Sequence, residues 1–351
     1  MLIAKPESQP ILMTPSAQDP ASLPSGLEPD TLFAPFSEAS GLLVAVSGGP
    51  DSMALLALAA DWSKGARRPP VIAATLDHGF RSASADEARM VGTVCAKLGL
   101  AHTILGWTGA KPVTRIQERA RAARYAALCG YARQAGASIL LTAHHADDQA
   151  ETILFRMLRG SGIGGLAGMQ ATRARDEIIH ARPLLPFRKT DLVAFCEARA
   201  LPFVKDPSNS DPRYARTRMR TLAAHLESAG MGPAQWARLS GRAASAEEAL
   251  VFATGQLRAS LDIQVAPDRT SFDASVFSGV PRELVLRLLI AEIIRIGRPP
   301  RLERAEPLVD LLLRRVADGV ALRATLGGVI LDLRKDRRLS MTAEGPRGKA
   351  S

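Results

Sequence analysis

Leu42-Leu43-Val44-Ala45-Val46-Ser47-Gly48-Gly49-Pro50-Asp51-Ser52-Met53-Ala54-Leu55-Leu56-Ala57-Leu58 is the stretch on which the fold turns. Aliphatic residues run into a glycine pair and an aliphatic helical pattern follows at once, so the segment reads strand, turn, helix. Paired glycines let backbone N–H groups come close to a phosphate, and the following helix N-terminus adds partial positive charge. Ser47 and Ser52 can donate hydroxyl hydrogen bonds to the same anion. Asp51, in the first helical turn, can cap the helix or help hold a Mg2+ that bridges phosphates. A lone Ser-Gly-Gly mostly marks a turn, but this six-residue string between an aliphatic strand and an aliphatic helix is far more selective. It lacks the lysine of a Walker A loop, so chemistry at a γ-phosphate is a poor fit.

Working outward, short apolar runs recur at Leu42 to Val46, Val71 to Leu76, His102 to Leu105 and Ser138 to Thr142. Helical stretches begin near Asp51, Ser84, Ile116 and Asp147. Runs this short and this aliphatic are buried on both faces, which predicts an α/β domain with a doubly wound, mostly parallel sheet. Ligands of such a sheet gather at the C-terminal ends of its strands. Those ends carry Ser47 to Ser52, Asp77 to Arg81, and His144 to Glu151. After Arg220 the chemistry thins, and helices are expected over Met231 to Leu261, Arg282 to Ile296 and Leu308 to Val316. Thr325 to Leu333 and the Lys335-Asp336 turn suggest a closing hairpin, so a second, smaller, mainly helical domain follows. Before the first strand, Pro6, Pro10, Pro15, Pro20, Pro24, Pro29 and Pro35 remove backbone donors and predict a disordered lead-in.

The length of 351 residues accommodates two domains, and 46% hydrophobic with 23% charged residues excludes wholesale disorder. No run approaches the roughly 20 apolar residues of a membrane span, and the N-terminus lacks a basic flank before an apolar stretch, which predicts a cytoplasmic protein. Cys95, Cys129 and Cys196 are widely spaced, never C-x-x-C, and read as structural thiols. A net charge of +10 favours a polyanionic partner, nucleic acid first, although an arginine-rich composition alone could produce it.

Three further groups could carry chemistry. In Asp77-His78-Gly79-Phe80-Arg81, Arg81 could reach phosphate and the glycine could admit a nucleoside; the plainer reading is a glycine turn with a surface arginine. Arg121 and Arg124 share a helix face beside Tyr125, where a solvated face is the default. In Thr142-Ala143-His144-His145-Ala146-Asp147-Asp148-Gln149-Ala150-Glu151-Thr152, Asp148 and Glu151 lie one turn apart and suit a divalent cation or an ammonium ion. His144 could move a proton or hold a phosphate. Acidic residues also simply favour a helix N-terminus. Adjacent histidines project differently and no H-E-x-x-H spacing occurs, which counts against zinc.

The loop resembles the SGGxDS loop of the PP-loop ATP pyrophosphatases, which split ATP between its α- and β-phosphates to adenylate a substrate. The chain is further similar to the tRNA(Ile)-lysidine synthetase family, in order, through SGGPDSMAL, a DHGxRxxSxxEA-like stretch, IQExARxxRY, TAHHxDDQxET and RGSGxxGLAGM, the last spanning Arg159 to Met169. Asp206-Pro207-Ser208-Asn209-Ser210-Asp211 continues the match to Tyr214, Arg216, Arg218 and Arg220. The resemblance covers about Leu42 to Arg220. It implies a cytoplasmic ligase of tRNA modification that adenylates the C2 oxygen of the wobble cytidine in the CAU anticodon of tRNA(Ile). Free L-lysine then displaces AMP to give lysidine. It implies ATP as cosubstrate with Mg2+, a nucleotide site at Ser47, Gly48, Gly49, Pro50, Asp51, Ser52, Asp77 and Arg81, and Asp51, His144, Arg121 and Arg124 as catalytic groups. Lysine would be held by Asp148 and Glu151, and phosphates of ATP or tRNA by Arg159, Arg216, Arg218 and Arg220. The base that deprotonates lysine is left open between a carboxylate and His144, and a homodimer stays open. The expected segments are a lead-in over 1–40, a PP-loop catalytic domain over 41–226, a tRNA-contacting domain over 227–345 and a tail over 346–351. The rivals are a PP-loop tRNA thiolase, which would want a cysteine in a motif, and a non-catalytic nucleic-acid-binding protein.

Overall fold

The structure, a computed structural model, describes residues 12–13, 26–77, 84–106, 116–175, 177–204 and 215–345. The chain divides into two compact units, Met1–Ala243 and Ala244–Ser351. In the first unit, β1 (Leu12–Met13) is followed by α1 (Pro29–Phe33), β2 (Leu42–Ala45), α2 (Pro50–Ser63), β3 (Val71–Asp77), α3 (Ser84–Leu98) and β4 (Ala101–Gly106). Then come α4 (Ile116–Gln134), β5 (Ile139–Leu141), α5 (Ala146–Met157), α6 (Ile163–Leu166), β6 (Thr172–Arg175), β7 (Ile178–Ala181), α7 (Lys189–Ala198), β8 (Phe203–Val204) and α8 (Ala215–Ser228).

Six strands form one sheet in the order β4-β3-β2-β5-β7-β6. All neighbours pair in parallel except the edge strand β6, which is antiparallel to β7. The aliphatic uniformity of the strands has its reason here: Leu42 and Val44 belong to the core on one face, with Phe33, Met53 and Leu56, while Leu43 belongs to the core on the other, with Tyr125 and Leu140. A sheet covered on both faces needs apolar side chains in both directions. Cys95 and Cys196 are buried in the first of these cores, and burial pushes their thiols up to about 11 and about 12.

The lead-in is corrected over residues 26–40. There α1 and a short 3-10 turn (Ala34–Phe36) bury Leu27, Phe33 and Phe36. The prolines do not prevent this, because Pro29 and Pro35 fall in the first positions of their helices, where a missing N–H costs nothing. The division between the units also falls later than residue 226. Leu222, Leu226, Met231, Trp236 and Leu239 pack with Ile153 and Leu154 of α5, which ties the chain to the first unit through residue 243.

The helix α9 (Pro233–Ser260) leads into the second unit, where β9 (Gln264–Ala266), β10 (Arg269–Asp273), α10 (Arg282–Ile296), α11 (Leu302–Asp318), β11 (Leu322–Leu326), β12 (Val329–Leu333) and β13 (Arg338–Ala343) follow. The expected hairpin is β12–β13, closed by Arg337 donating its N–H to the Arg334 carbonyl. It belongs to a five-stranded antiparallel sheet, β11-β12-β13-β10-β9. Phe272, Leu288, Leu312, Leu331 and Met341 form the core of this unit. Buried Glu292 is satisfied there by Thr270, Arg258 and Arg295.

Candidate functional site

The phosphate-type loop is held by its own side chains. The Ser47 N–H donates to Ser52 Oγ at 3.1 Å, and Ser52 Oγ donates to the Gly49 carbonyl at 2.9 Å, so Ser52 braces the turn. Gly48 has φ +83°, a conformation that favours glycine, and its carbonyl accepts from Val204 of β8 at 2.9 Å. Gly49 is the extended residue before α2 and Pro50 begins the helix, leaving the first N–H groups of α2 to the loop.

Beside the loop lies a cavity of about 700 Å3 lined by Ser47, Asp51, Arg121, Arg124, His144 and Asp148, among others. A second cavity of about 510 Å3 is lined by Glu151, Glu197, Glu227 and Trp236. The two share His145, Lys189, Val193 and Arg220. Three strand ends and two later helices therefore converge on one place, as the sheet topology requires.

His145, which sequence reasoning passed over in favour of His144, is the hub. Nearly fully buried, it stands 3.6 Å from Asp51, 3.3 Å from Asp147 and 3.5 Å from Asp148. Burial disfavours its charge, but the Asp147, Asp148 and Asp51 carboxylates outweigh this and hold its pKa above the ordinary value. Burial likewise pushes Asp147 up, yet His145 and the Lys189 N–H, which donates to Asp147 at 2.8 Å, bring it down to about 2. Burial raises Asp51 above its ordinary value, against the opposing pull of His145 and Lys189. Its Oδ1 is buried with no hydrogen-bond partner among the described residues.

Glu151 and Arg220 meet at 2.5 Å, so a residue expected to hold an amine is ion-paired with one expected at phosphate. His144 sits against Thr142, whose Oγ1 is 2.8 Å from its Nδ1. Arg121 and Arg124 reach the larger cavity and stack over Tyr125 at 5.2 and 5.5 Å. Asp77, at the end of β3, accepts from Ser84 Oγ at 2.6 Å. Arg159 and Arg218 are exposed and line neither cavity; Arg159 lies over Phe155. Arg81, the side chain of Arg216, and the segment Asp206 to Asp211 with Tyr214 are outside the described residues. Lys189 at the start of α7 carries no motif that could have announced it. Among the described residues no group of three or more His, Cys, Asp or Glu is arranged for a metal. No helix among them is long and apolar enough to cross a membrane.

The Arg159 to Met169 stretch is a braced turn. Arg156 donates to the carbonyls of Gly165 and Gly168, and Gln149 exchanges hydrogen bonds with the backbone of Met169.

A PP-loop domain model matches residues 26–226, a nucleotide domain that uses ATP. The chain is 46% identical over 316 residues to a tRNA(Ile)-lysidine synthase of Methylobacterium sp. (strain 4-46), covering 88% of this chain and 91% of that protein. It is 42% identical over 337 residues to a tRNA(Ile)-lysidine synthase of Rhodopseudomonas palustris, covering 93% of this chain and 97% of that protein. Among solved structures, the U34-tRNA thiolase NcsA from Methanococcus maripaludis aligns with a TM-score of 0.51 at 17% identity, over 57% of this chain and 71% of that chain. That likeness is one of fold alone.

Proposed function

Because the chain belongs to the tRNA(Ile)-lysidine synthase family, an ATP-dependent carbon–nitrogen ligase of tRNA modification, we propose that its two adjoining cavities divide the reaction. ATP lies along Ser47 to Ser52 in the larger one, and L-lysine enters the smaller one. The observation that carries this reading is the shared wall of His145, Lys189 and Arg220, which puts a phosphate loop and the buried Glu151 within one site.

The substrate is the wobble cytidine of the CAU anticodon of tRNA(Ile), an unpaired base that can be splayed out of its loop without opening a duplex. Its C2 oxygen attacks the α-phosphorus of ATP and pyrophosphate leaves. Backbone N–H groups of the loop and the α2 N-terminus, with Arg121 and Arg124, stabilise the charge on the departing phosphates. Asp51, whose buried Oδ1 has no hydrogen-bond partner among the described residues, is the carboxylate that would hold a Mg2+, which would supply neutralisation of the phosphates. The ε-ammonium of lysine gives a proton to a carboxylate of the site, and the free amine then forms the N–C2 bond as the C2–O bond breaks and AMP leaves. Asp148 and Glu151 hold the ammonium groups of lysine, and Arg220 offers its guanidinium to the carboxylate, so all three charges of the amino acid find a partner.

The exposed arginines of the second unit, Arg301, Arg304, Arg314 and Arg323 among them, serve tRNA phosphates. The thiolase alternative is disfavoured by its need for a reactive thiol, since all three cysteines are buried. The test is pyrophosphate release on adding tRNA(Ile) transcript to protein and ATP, followed by incorporation of labelled lysine into the transcript. Release with no incorporation refutes the lysine assignment, and no release refutes the adenylation step.

A further inference from the structure

Behind His144 runs a chain of hydrogen bonds whose direction is fixed from its far end. Arg182 Nη2 is 3.1 Å from His180 Nδ1, His180 Nε2 is 2.8 Å from Thr142 Oγ1, and Thr142 Oγ1 is 2.8 Å from His144 Nδ1. Arg182, His180 and Thr142 are all buried. A guanidinium has donors and no acceptor, so His180 Nδ1 must present a lone pair and the ring must be neutral with its proton on Nε2. Burial and the surrounding Arg182, Arg175, Arg121 and Arg124 hold His180 down to about 3, in keeping with that state. His180 therefore donates to Thr142. The Thr142 hydroxyl has only these two imidazole partners among the described residues, and its own proton would be stranded in the interior unless it points to His144.

We infer that Arg182, His180 and Thr142 are positioning residues that fix His144 as a hydrogen-bond donor, with Nδ1 accepting from Thr142 and the proton on Nε2. His144 lines the larger cavity, so in the reaction it offers an N–H to developing negative charge, at phosphate or at the cytidine oxygen, and does not take the proton from lysine. That last role falls to a carboxylate of the site. The donor role in catalysis rests on the proposed reaction, whereas the position of the proton does not.

The test is a long-range proton–nitrogen NMR spectrum of the full-length chain labelled with 15N-histidine at neutral pH, with His144 assigned through His144→Gln. The expected spectrum gives His144 a pyridine-type Nδ1 and a pyrrole-type Nε2. A proton on Nδ1, or a charged ring, in the wild-type chain overturns the inference without reference to any substrate. In Thr142→Val the His144 nitrogens should average between tautomers, and Thr142→Ser should restore the single pattern. An unchanged pattern in folded Thr142→Val also overturns it. Separately, pyrophosphate release should fall at least tenfold in Thr142→Val and recover in Thr142→Ser; loss in both variants refutes the catalytic part alone.

Discussion

Glu151 Oε1 lies 2.5 Å from Arg220 Nε, with the carboxylate side chain only 5% exposed and the guanidinium 35%. A carboxylate so buried tolerates its charge only while a cation or donors face it. Loss of Arg220 should therefore cost more than loss of Glu151. Arg220→Ala should lower unfolding stability by about 1–3 kcal/mol, the cost of removing the guanidinium that faces a buried carboxylate, lessened by partial exposure. Urea denaturation of Arg220→Ala, Glu151→Gln and the double variant checks this, and the double variant should be more stable than Arg220→Ala.

In the reaction, Glu151→Gln and Asp148→Asn should retain tRNA-dependent pyrophosphate release while labelled lysine incorporation drops by at least tenfold. Equal loss of both steps would place these carboxylates outside the lysine site.

Acid should loosen the site through Asp147. Its folded value of about 2 lies below the ordinary 3.8, so its contribution is complete above the ordinary value and is lost as pH falls from there toward about 2. Allowing for its partial exposure, Asp147→Asn should remove about 1 kcal/mol of stability at neutral pH and flatten the acid limb of the stability curve. His145 acts in the opposite sense. Held above its ordinary value, it contributes below that value and loses the contribution as pH rises through its folded one. Denaturation midpoints from pH 2 to 8 read both.

Gly168 has φ +66°, and a Cβ there would stand 2.7 Å from the Gln149 side-chain amide, which is itself bound to Met169. Gly160 has φ +65° with open space around it. Gly168→Ala should thus cost about 2–3 kcal/mol, strain plus displacement of Gln149, against about 1 kcal/mol for Gly160→Ala. Thermal unfolding of the two variants side by side measures the difference.

Ser52→Ala removes the acceptor of the Ser47 N–H and the donor to Gly49, loosening the phosphate loop. The KM for ATP should rise several-fold with a stability loss of about 1 kcal/mol, read by steady-state pyrophosphate release and by denaturation.

The order strand, glycine turn, helix was legible at Leu42 to Leu58 because each part is specified locally, by aliphatic runs, by glycine at positive φ and by proline at a helix start. The span of α10 was legible from helical periodicity for the same reason. Local rules also misled: prolines counted as breakers in residues 26–40 became first-turn residues once Phe33 found the core. What the sequence could not decide was which charged groups meet. Glu151 finds Arg220 from α8, Asp147 finds the backbone of Lys189 from α7, and Thr142 finds His180 because β7 lies beside β5. A residue's type determines what it can donate, accept or ionise, and on that basis the loop at Ser47 to Ser52 raised the expectation of a phosphate site. Burial and distance determine which partner satisfies it. Those depend on strand order and helix packing between segments far apart in the chain, so they were settled only by the tertiary structure.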